Sequence, residues 1–311
     1  MTVLITGITG FVGGYLAGIL TAGKKNKIFG TYLEDPVSFN NAGVDLHRLN
    51  ITDAGSIVKL LEDIRPSKIY HLAAIAATTE VDPNPYYKVN FHGTLNLLEA
   101  VRRIVPKCRV LFIGSANVYG PVPVHQQPIR EDLELRPVNH YASSKAAADM
   151  AAFCYAANGL DVVIARPFNH TGPGQSIDFI GPKIAKQVAE IMLGTREPVI
   201  EVGNLEATRD FTDVRDVVNA YRMLMNRGRS GEVYNVCSQQ VYSVRDIIHQ
   251  FVSMSGVNGS VKSRSDLLRK TDISILKGSR EKITSETGWC PAIKFSQTCH
   301  DLLLYWKNKL S

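Results

Sequence analysis

The chain has 311 residues, 45% hydrophobic and 21% charged, as is ordinary for a soluble globular protein. Its net charge of +6 is spread along the sequence, which argues against a nucleic-acid partner and favours an anionic small ligand. The five cysteines form no Cys-x-x-Cys pair, no apolar run would span a bilayer, and the first predicted strand begins at Thr2. We therefore expect a cytoplasmic protein with buried free thiols and neither signal peptide nor membrane contact.

The amino terminus has the pattern of a strand, a glycine turn and a helix. Residues 2–6 are apolar, Gly7, Gly10 and Gly13 follow directly, and an amphipathic segment extends to about residue 20. Glycines let the backbone approach a pyrophosphate, and a helix amino terminus supplies free N–H groups and partial positive charge. We therefore predict a dinucleotide site here. Because strand and helix patterns keep alternating, we predict an α/β fold with a doubly wound parallel sheet.

The second predicted strand, residues 27–33, bears on the choice of cofactor. In an NAD site an acidic residue usually ends this strand and binds the ribose 2′-hydroxyl. Thr31 and Tyr32 fall near that position, whereas Glu34 and Asp35 come slightly late. The uncharged pair would tolerate a 2′-phosphate, but no arginine is expected at this position to bind it. We favour NADP(H) and leave NAD(H) open.

In the next strands and helices, several polar residues are explained by a structural role and need no functional one. Residues 46–50 are predicted as the third strand, and Thr52 or Asp53 caps the helix that follows. The fourth strand and its loop, residues 69–74, contain His71. We expect backbone groups to satisfy this histidine, and we do not expect it to act in catalysis.

The centre of the chain has the strongest catalytic pattern. Ser115 follows an apolar strand, residues 110–113, and so lies where ligands bind in open α/β sheets. Tyr141 and Lys145 share one face of a predicted helix at 139–157. An ammonium ~4 Å from a phenol at an effective dielectric of ~20 would stabilise the phenolate by about 4 kcal/mol and lower its pKa. This pair predicts proton exchange with a substrate oxygen.

The glycine spacing together with Ser115, Tyr141 and Lys145 resembles the cofactor turn and Ser-Tyr-Lys triad of extended short-chain dehydrogenases/reductases that act on nucleotide sugars. The resemblance covers nearly the whole chain. It implies a Rossmann-type sheet with a smaller C-terminal substrate-binding domain.

The same resemblance implies two interleaved domains and a homodimer. Residues 1–165 would form the dinucleotide-binding domain, with returning segments at about 206–245, and residues 166–311 would mainly bind substrate. The alanine-rich helix at 139–157 would permit the close packing of the family's four-helix dimer bundle.

The resemblance also assigns individual site residues. The cofactor would contact Gly7, Gly10, Phe11, Val12, Gly13, Thr31, Asn50, Ile51, Ala73, Ala74, Asn90, Tyr141 and Lys145. The substrate would contact Ser115, Asn117, Asn169, Lys183, Arg209 and Arg269. A guanidinium such as that of Arg209 binds a diphosphate well because it donates bidentately. A surface pair with Asp210 or Asp213 is the alternative, and no metal site is predicted.

The loop at 166–175 is most similar to that of GDP-mannose 4,6-dehydratase and of its relatives that reduce GDP-4-keto-6-deoxymannose. The dehydratase motif has a glutamate base two residues after the triad hydroxyl, where this chain has Asn117, a poor proton acceptor. The resemblance therefore implies NAD(P)H-dependent reduction of the C4 keto group of GDP-4-keto-6-deoxy-D-mannose to a GDP-rhamnose type of product. A 4-epimerase or the dehydratase itself is the alternative. The complete triad argues against a non-enzymatic nucleotide sensor.

Overall fold

The computed structural model describes residues 1–23, 26–34, 39, 43–76, 82–267 and 275–311, in which strands and helices alternate. The first half contains β1 (Thr2–Thr6), α1 (Phe11–Thr21), β2 (Lys27–Tyr32), β3 (Val44–Arg48), α2 (Ala54–Ile64), β4 (Lys68–His71), α3 (Asn84–Tyr86), a π-helical turn (Tyr87–His92), α4 (Gly93–Ile104), β5 (Arg109–Ile113), two 3₁₀ turns (Ala116–Tyr119, Val124–Gln126), α5 (His140–Ala157) and β6 (Val162–Pro167). None of the described helices has both the length and the hydrophobicity of a membrane span.

The second half is more irregular. It contains β7 (Asn169–Thr171), α6 (Ile180–Met192), β8 (Val199–Val202), β9 (Thr208–Asp213), α7 (Val214–Arg227), β10 (Val233–Val236), β11 (Val241–Ser243), α8 (Val244–Ser255), β12 (Ser260–Ser263), a 3₁₀ turn (Ser265–Leu267), β13 (Ile275–Leu276), α9 (Glu281–Thr287) and α10 (Phe295–Leu310). Helix α8 begins with a capping box between Ser243 and Asp246.

A parallel sheet of seven described strands forms the centre, in the order β3-β2-β1-β4-β5-β6-β10. The strand order reverses between β1 and β4, and doubly wound folds bind ligands at the carboxyl ends of the strands beside that reversal. The predicted Rossmann-type α/β fold is confirmed. Strand β4 ends at His71, and Leu72, Ala73 and Ala74 leave the sheet to line a cleft.

Apolar side chains cover both faces of this sheet. In β1, Val3 and Ile5 pack towards α1 and α7, whereas Leu4 packs towards α2, α4 and α5. Successive side chains of a strand point to opposite faces, so a strand buried on both sides needs a continuous apolar run. This requirement explains the apolar sequence of the first strand. The glycine turn begins directly after the carboxyl end of that strand, at Gly7.

A smaller sheet lies beside the first. In it β9 pairs with β11 in antiparallel orientation and with β7 and β13 in parallel orientation. Helices α6, α8 and α10 pack around a separate apolar cluster that includes Phe211 of β9. Because α7 and β10 return to the large sheet, the chain passes between the two units more than once. The numerical domain bounds given above stay a prediction.

The cysteines agree only in part with the sequence-based expectation. All five are free, and Cys108, Cys237 and Cys299 are buried as expected. Cys154 and Cys290 are exposed, so the expectation of buried thiols is wrong for these two.

Candidate active site

A cleft with a volume of about 1450 Å³ lies along the carboxyl ends of the central strands. It extends from the end of β2, past the glycine turn and β5, to α6 and β8. Pockets for one small ligand usually have volumes of ~300–1,000 Å³, so this cleft has room for a cofactor and a substrate together. Of the predicted site residues that the structure describes, all but Asn90 line it. Arg269 lies outside the described residues.

The glycine turn is required by the backbone around it. Gly7 has φ of +68°, and a Cβ there would lie 2.9 Å from the Cα of Ala73. A Cβ at Gly13 would lie 2.4 Å from the carbonyl oxygen of Ile8. Helix α1 has no side-chain cap, so the N–H groups of its first turn are available to a bound phosphate. This turn therefore fits a pyrophosphate.

Thr31 has a supporting role in the turn that the sequence did not reveal. It is almost fully buried, and its hydroxyl accepts a hydrogen bond from the Gly7 N–H at 3.3 Å. The residue lines the cleft at the position where an acidic ribose ligand would stand in an NAD site.

Ser115, Tyr141 and Lys145 all line the cleft. A hydrogen bond joins Ser115 and Tyr141, and the Lys145 Nζ donates to the Ile113 carbonyl at 2.6 Å. Burial raises the pKa of Tyr141, although the bond to Ser115 opposes this. The predicted lowering of the pKa of Tyr141 by Lys145 is therefore wrong for this structure. Helical spacing predicts proximity, but it does not predict the desolvation of the phenol.

Asp149 is a residue of this site that the sequence analysis missed. It lies one helical turn beyond Lys145, is fully buried, and pairs with Arg166 of β6 at 2.6 Å. Arg166 also donates to the Tyr119 hydroxyl at 3.0 Å. The ion pair between Asp149 and Arg166 therefore connects α5 to the sheet. Burial lowers the pKa of Lys145 to about 8, and the negative charge of Asp149 opposes that decrease. The spacing of Tyr141, Lys145 and Asp149 at intervals of one turn was the available signal.

We expect turnover to fall as the pH rises through about 8, because Lys145 then loses its proton and its charge. Replacing Asp149 by asparagine removes a charge that favours the ammonium, so the alkaline limb should move to lower pH. The measurement is kcat/KM against pH for the wild type and Asp149→Asn. Glu281→Gln, which breaks an exposed pair with Arg130, is the control.

Asp149→Asn leaves Arg166 buried beside a neutral partner, so circular dichroism must first show that the variant is folded. An alkaline limb at the wild-type position in a folded Asp149→Asn protein would exclude control of Lys145 by Asp149.

Asn90 lies behind the cleft wall. It belongs to the π-helical turn, its Oδ1 accepts from the Ile75 N–H at 2.8 Å, and its Nδ2 donates to the Ser144 hydroxyl at 3.1 Å. Single π-helical turns inside α-helices are frequent at functional sites. In this structure Asn90 connects the loop after β4 to α5, and its predicted contact with the cofactor stays a prediction.

His71 has side-chain partners, not the backbone partners that we expected. Its Nδ1 is 2.8 Å from the Thr6 hydroxyl and its Nε2 is 3.0 Å from the Thr94 hydroxyl. Burial lowers the pKa of His71 to about 3, so the ring is neutral and structural. Both threonines are distant in sequence, which is why the strand pattern did not show them.

The segment after β6, which includes β7, is fixed to the helix of the glycine turn. The His170 ring stacks on Phe11 with centroids 6.4 Å apart, and the Tyr15 hydroxyl donates to the Pro173 carbonyl at 2.8 Å. Strand β7 also carries Asn169, which lines the cleft. These direct contacts therefore fix the position of the substrate side of the cleft relative to its cofactor side.

The far end of the cleft carries both basic and acidic side chains. Lys183 and Arg209, both predicted, line it together with Arg196 and Arg264. Glu201 pairs with Arg196 and with Arg264, each at 3.4 Å. The sequence analysis missed these two arginines because they come from a loop before β8 and from the end of β12.

The acids that offered an alternative partner for Arg209 are engaged elsewhere. Asp210 accepts hydrogen bonds from the N–H and the hydroxyl of Ser238, each at 2.8 Å. Asp213 pairs with Arg215 at 2.7 Å. The role of Arg209 as a substrate ligand stays a prediction.

An arginine does lie at the end of β2, contrary to the expectation from the sequence. Arg48 ends β3, and its Nε donates to the Leu33 carbonyl at 3.2 Å. The sequence separates the two residues, whereas the pairing of β2 with β3 brings them together.

The fold, the glycine turn and the triad together define an extended short-chain dehydrogenase/reductase of the nucleotide-sugar type. Residues 4–302 match the model of the family described as GDP-mannose 4,6 dehydratase, and the chain belongs to that family. The resemblance found in the sequence is confirmed.

Two named relatives and one solved structure are similar to this chain over most of its length. The chain is 33% identical to GDP-6-deoxy-D-mannose reductase of Pseudomonas aeruginosa, over 98% of this chain and 97% of the relative. It is 30% identical to GDP-6-deoxy-D-talose 4-dehydrogenase of Aggregatibacter actinomycetemcomitans, over 93% and 92%. The solved structure of RMD from Pseudomonas aeruginosa complexed with NADPH has 32% identity and a TM-score of 0.86, over 99% of this chain and 98% of that one.

Proposed function

We propose that this protein uses NADPH to reduce the C4 keto group of GDP-4-keto-6-deoxy-D-mannose, giving a GDP-6-deoxyhexose of the rhamnose configuration. The observation that carries the proposal is that the Ser115-Tyr141-Lys145 triad lines the same cleft as a phosphate-binding glycine turn and the basic residues Lys183 and Arg209. Asn117 stands where a dehydratase needs a base. The names of the Pseudomonas aeruginosa relative and of the NADPH-bound structure support this substrate and this cofactor.

The residues of this chain supply the proton of the reaction and stabilise the negative charge that develops on the C4 oxygen. Bound NADPH supplies the hydride that reaches the C4 carbonyl carbon. Tyr141 donates the proton to the C4 oxyanion, and its raised pKa keeps the phenol protonated at neutral pH. Ser115 hydrogen-bonds the same oxygen. Lys145 holds the ribose of the nicotinamide side and contributes a positive charge near the reacting oxygen.

The far end of the cleft binds the GDP part of the substrate. Arg209 and Lys183 neutralise the diphosphate, because a guanidinium donates bidentately and an ammonium acts as a mobile point charge. Asn169 lines the same cleft and contacts the sugar.

Replacing Arg209 by alanine is expected to raise KM for the nucleotide sugar with little change in kcat. A hydrogen bond to a charged group contributes about 1.5–3 kcal/mol, which corresponds to roughly 10- to 150-fold. Steady-state kinetics check this. Arg245→Ala is the matched control, because Arg245 pairs with Glu206 on the exposed surface. An unchanged KM together with a lower Tm would support a structural role for Arg209.

The direct test is to incubate the protein with NADPH and GDP-4-keto-6-deoxy-D-mannose and to identify the product by NMR. A rhamnose-configured product with stoichiometric NADPH consumption supports the proposal. A talose-configured product would assign the opposite face of attack, as the name of the Aggregatibacter relative suggests for that protein. Tightly retained NAD and interconversion of C4 epimers without net oxidation would identify an epimerase.

We further propose a cytoplasmic homodimer. Helix α5 leaves Met150 50% exposed on its outer face, where a second copy of the helix would cover it. Size-exclusion chromatography with light scattering gives the mass in solution, and a monomer would contradict the dimer without bearing on the reaction.

A further inference from the structure

An exposed guanidinium that the proposed mechanism does not use lies beside the end of the cleft at β2, where Leu33 and Glu34 line it. Tyr32 and Arg48 are opposite each other in the pairing of β2 and β3. The Arg48 Nε donates to the Leu33 carbonyl at 3.2 Å, so the side chain reaches from its own strand across the end of the neighbouring one. In doubly wound folds the adenosine ribose of a dinucleotide lies at this strand end.

The neighbouring polar groups are already occupied by local contacts. The Thr31 hydroxyl accepts from the Gly7 N–H at 3.3 Å, and Asn50 Oδ1 accepts from the Thr52 N–H at 3.0 Å. Within the part of the chain that the structure describes, no carboxylate forms an ion pair with Arg48. Its two terminal nitrogens are therefore able to donate to a ligand.

We propose that Arg48 binds the 2′-phosphate of NADP(H) and is the residue that sets the preference for NADP(H) over NAD(H). The inference rests on the proposed function for the identity of the cofactor. A guanidinium matches a phosphate because its planar N–H groups donate two parallel hydrogen bonds. The bond from Nε to Leu33 orients the terminal nitrogens before the cofactor arrives, which lowers the entropic cost of binding.

Glu34 lies at this end of the cleft, and its charge has the opposite effect to that of Arg48 on the choice of cofactor. It is exposed and lines the cleft there, so its negative charge disfavours a 2′-phosphate and suits a free 2′-hydroxyl. The preference between the two cofactors is thus a balance of one cation and one carboxylate. Replacing either residue should change the ratio of the two affinities, in opposite directions.

The experiment titrates NADPH and NADH separately by quenching of intrinsic fluorescence, without any sugar. Arg48→Ala should raise the Kd for NADPH by about 10- to 100-fold, as expected for loss of a bidentate charge-assisted contact, and change the Kd for NADH by less than about twofold. Arg48→Lys should fall between, because it keeps the charge and loses the planar donor pair. Glu34→Gln should strengthen NADPH binding.

Arg222→Ala removes the same charge from an exposed position on α7, outside β2 and β3, and controls for long-range electrostatics. Equal weakening of both cofactors in Arg48→Ala, or no weakening of either, would overturn the role of Arg48. A wild-type protein that prefers NADH would overturn it too. The reductase proposal fails separately, if wild-type protein with either cofactor leaves the 4-keto sugar unreduced.

Discussion

Replacing Tyr141 by phenylalanine should decrease turnover by ~10²–10⁴-fold, the usual contribution of a positioned general acid. The variant loses only the hydroxyl that donates to the C4 oxyanion. The ring keeps its edge-to-face packing against Tyr86, with centroids 6.2 Å apart in the wild type. Because the phenol acts mainly in the transition state, kcat should decrease far more than NADPH affinity.

The measurement is single-turnover reduction of the 4-keto sugar, together with a fluorescence titration of NADPH. Tyr155→Phe is a matched control on the same helix, since its hydroxyl donates to Glu99 at 3.2 Å and does not line the cleft. Near-normal turnover in Tyr141→Phe would remove Tyr141 from the mechanism. A proportional loss of NADPH binding would instead indicate damage to the cofactor side.

The parts of the site that the sequence predicted are those encoded by short-range spacing. A glycine turn between a strand and a helix, a serine at a strand end, and Tyr141 with Lys145 one turn apart are each specified within a few neighbouring residues. The cleft unites them because the carboxyl ends of parallel strands meet at one edge of the sheet.

The parts that the sequence did not predict depend on contacts between distant segments. Arg48 reaches the end of β2 only because β3 pairs with β2. The role of Asp149 depends on its buried ion pair with Arg166, which lies on another element. The pKa of Tyr141 illustrates the same limit. A spacing rule places an ammonium near the phenol, whereas burial, which depends on the whole fold, raises the pKa.

The protein should reduce a finished 4-keto sugar but dehydrate GDP-mannose very slowly or not at all. Dehydration requires oxidation at C4, removal of the C5 proton, loss of the C6 hydroxyl and return of hydride to C6. Asn117 lines the cleft two residues after Ser115, and its backbone N–H donates to the Ser115 hydroxyl at 3.2 Å. Its side-chain amide is neutral and accepts protons poorly, so the step at C5 has no base at this position.

Other carboxylates of the cleft are poorly suited to replace it. Those that line the described part of the cleft are Glu34, Asp178, Glu190, Glu201 and Asp266. Glu34 lies at the opposite end, beside β2. Glu190, Glu201 and Asp266 each pair with an arginine, and Asp178 accepts a hydrogen bond from Ser176 at 2.7 Å. The carboxylate oxygens of these four residues are thus already engaged by neighbouring side chains.

The experiment supplies GDP-mannose with oxidised cofactor and follows the 4-keto product by its absorbance in alkali. The same enzyme sample must reduce GDP-4-keto-6-deoxy-D-mannose with NADPH, which shows that it is active. Asn117→Glu should increase any residual dehydration, because it restores a base where a positioned group contributes ~10²–10⁴-fold. Efficient dehydration by the wild-type protein would overturn the reductase assignment, since a base other than residue 117 would then be removing the C5 proton.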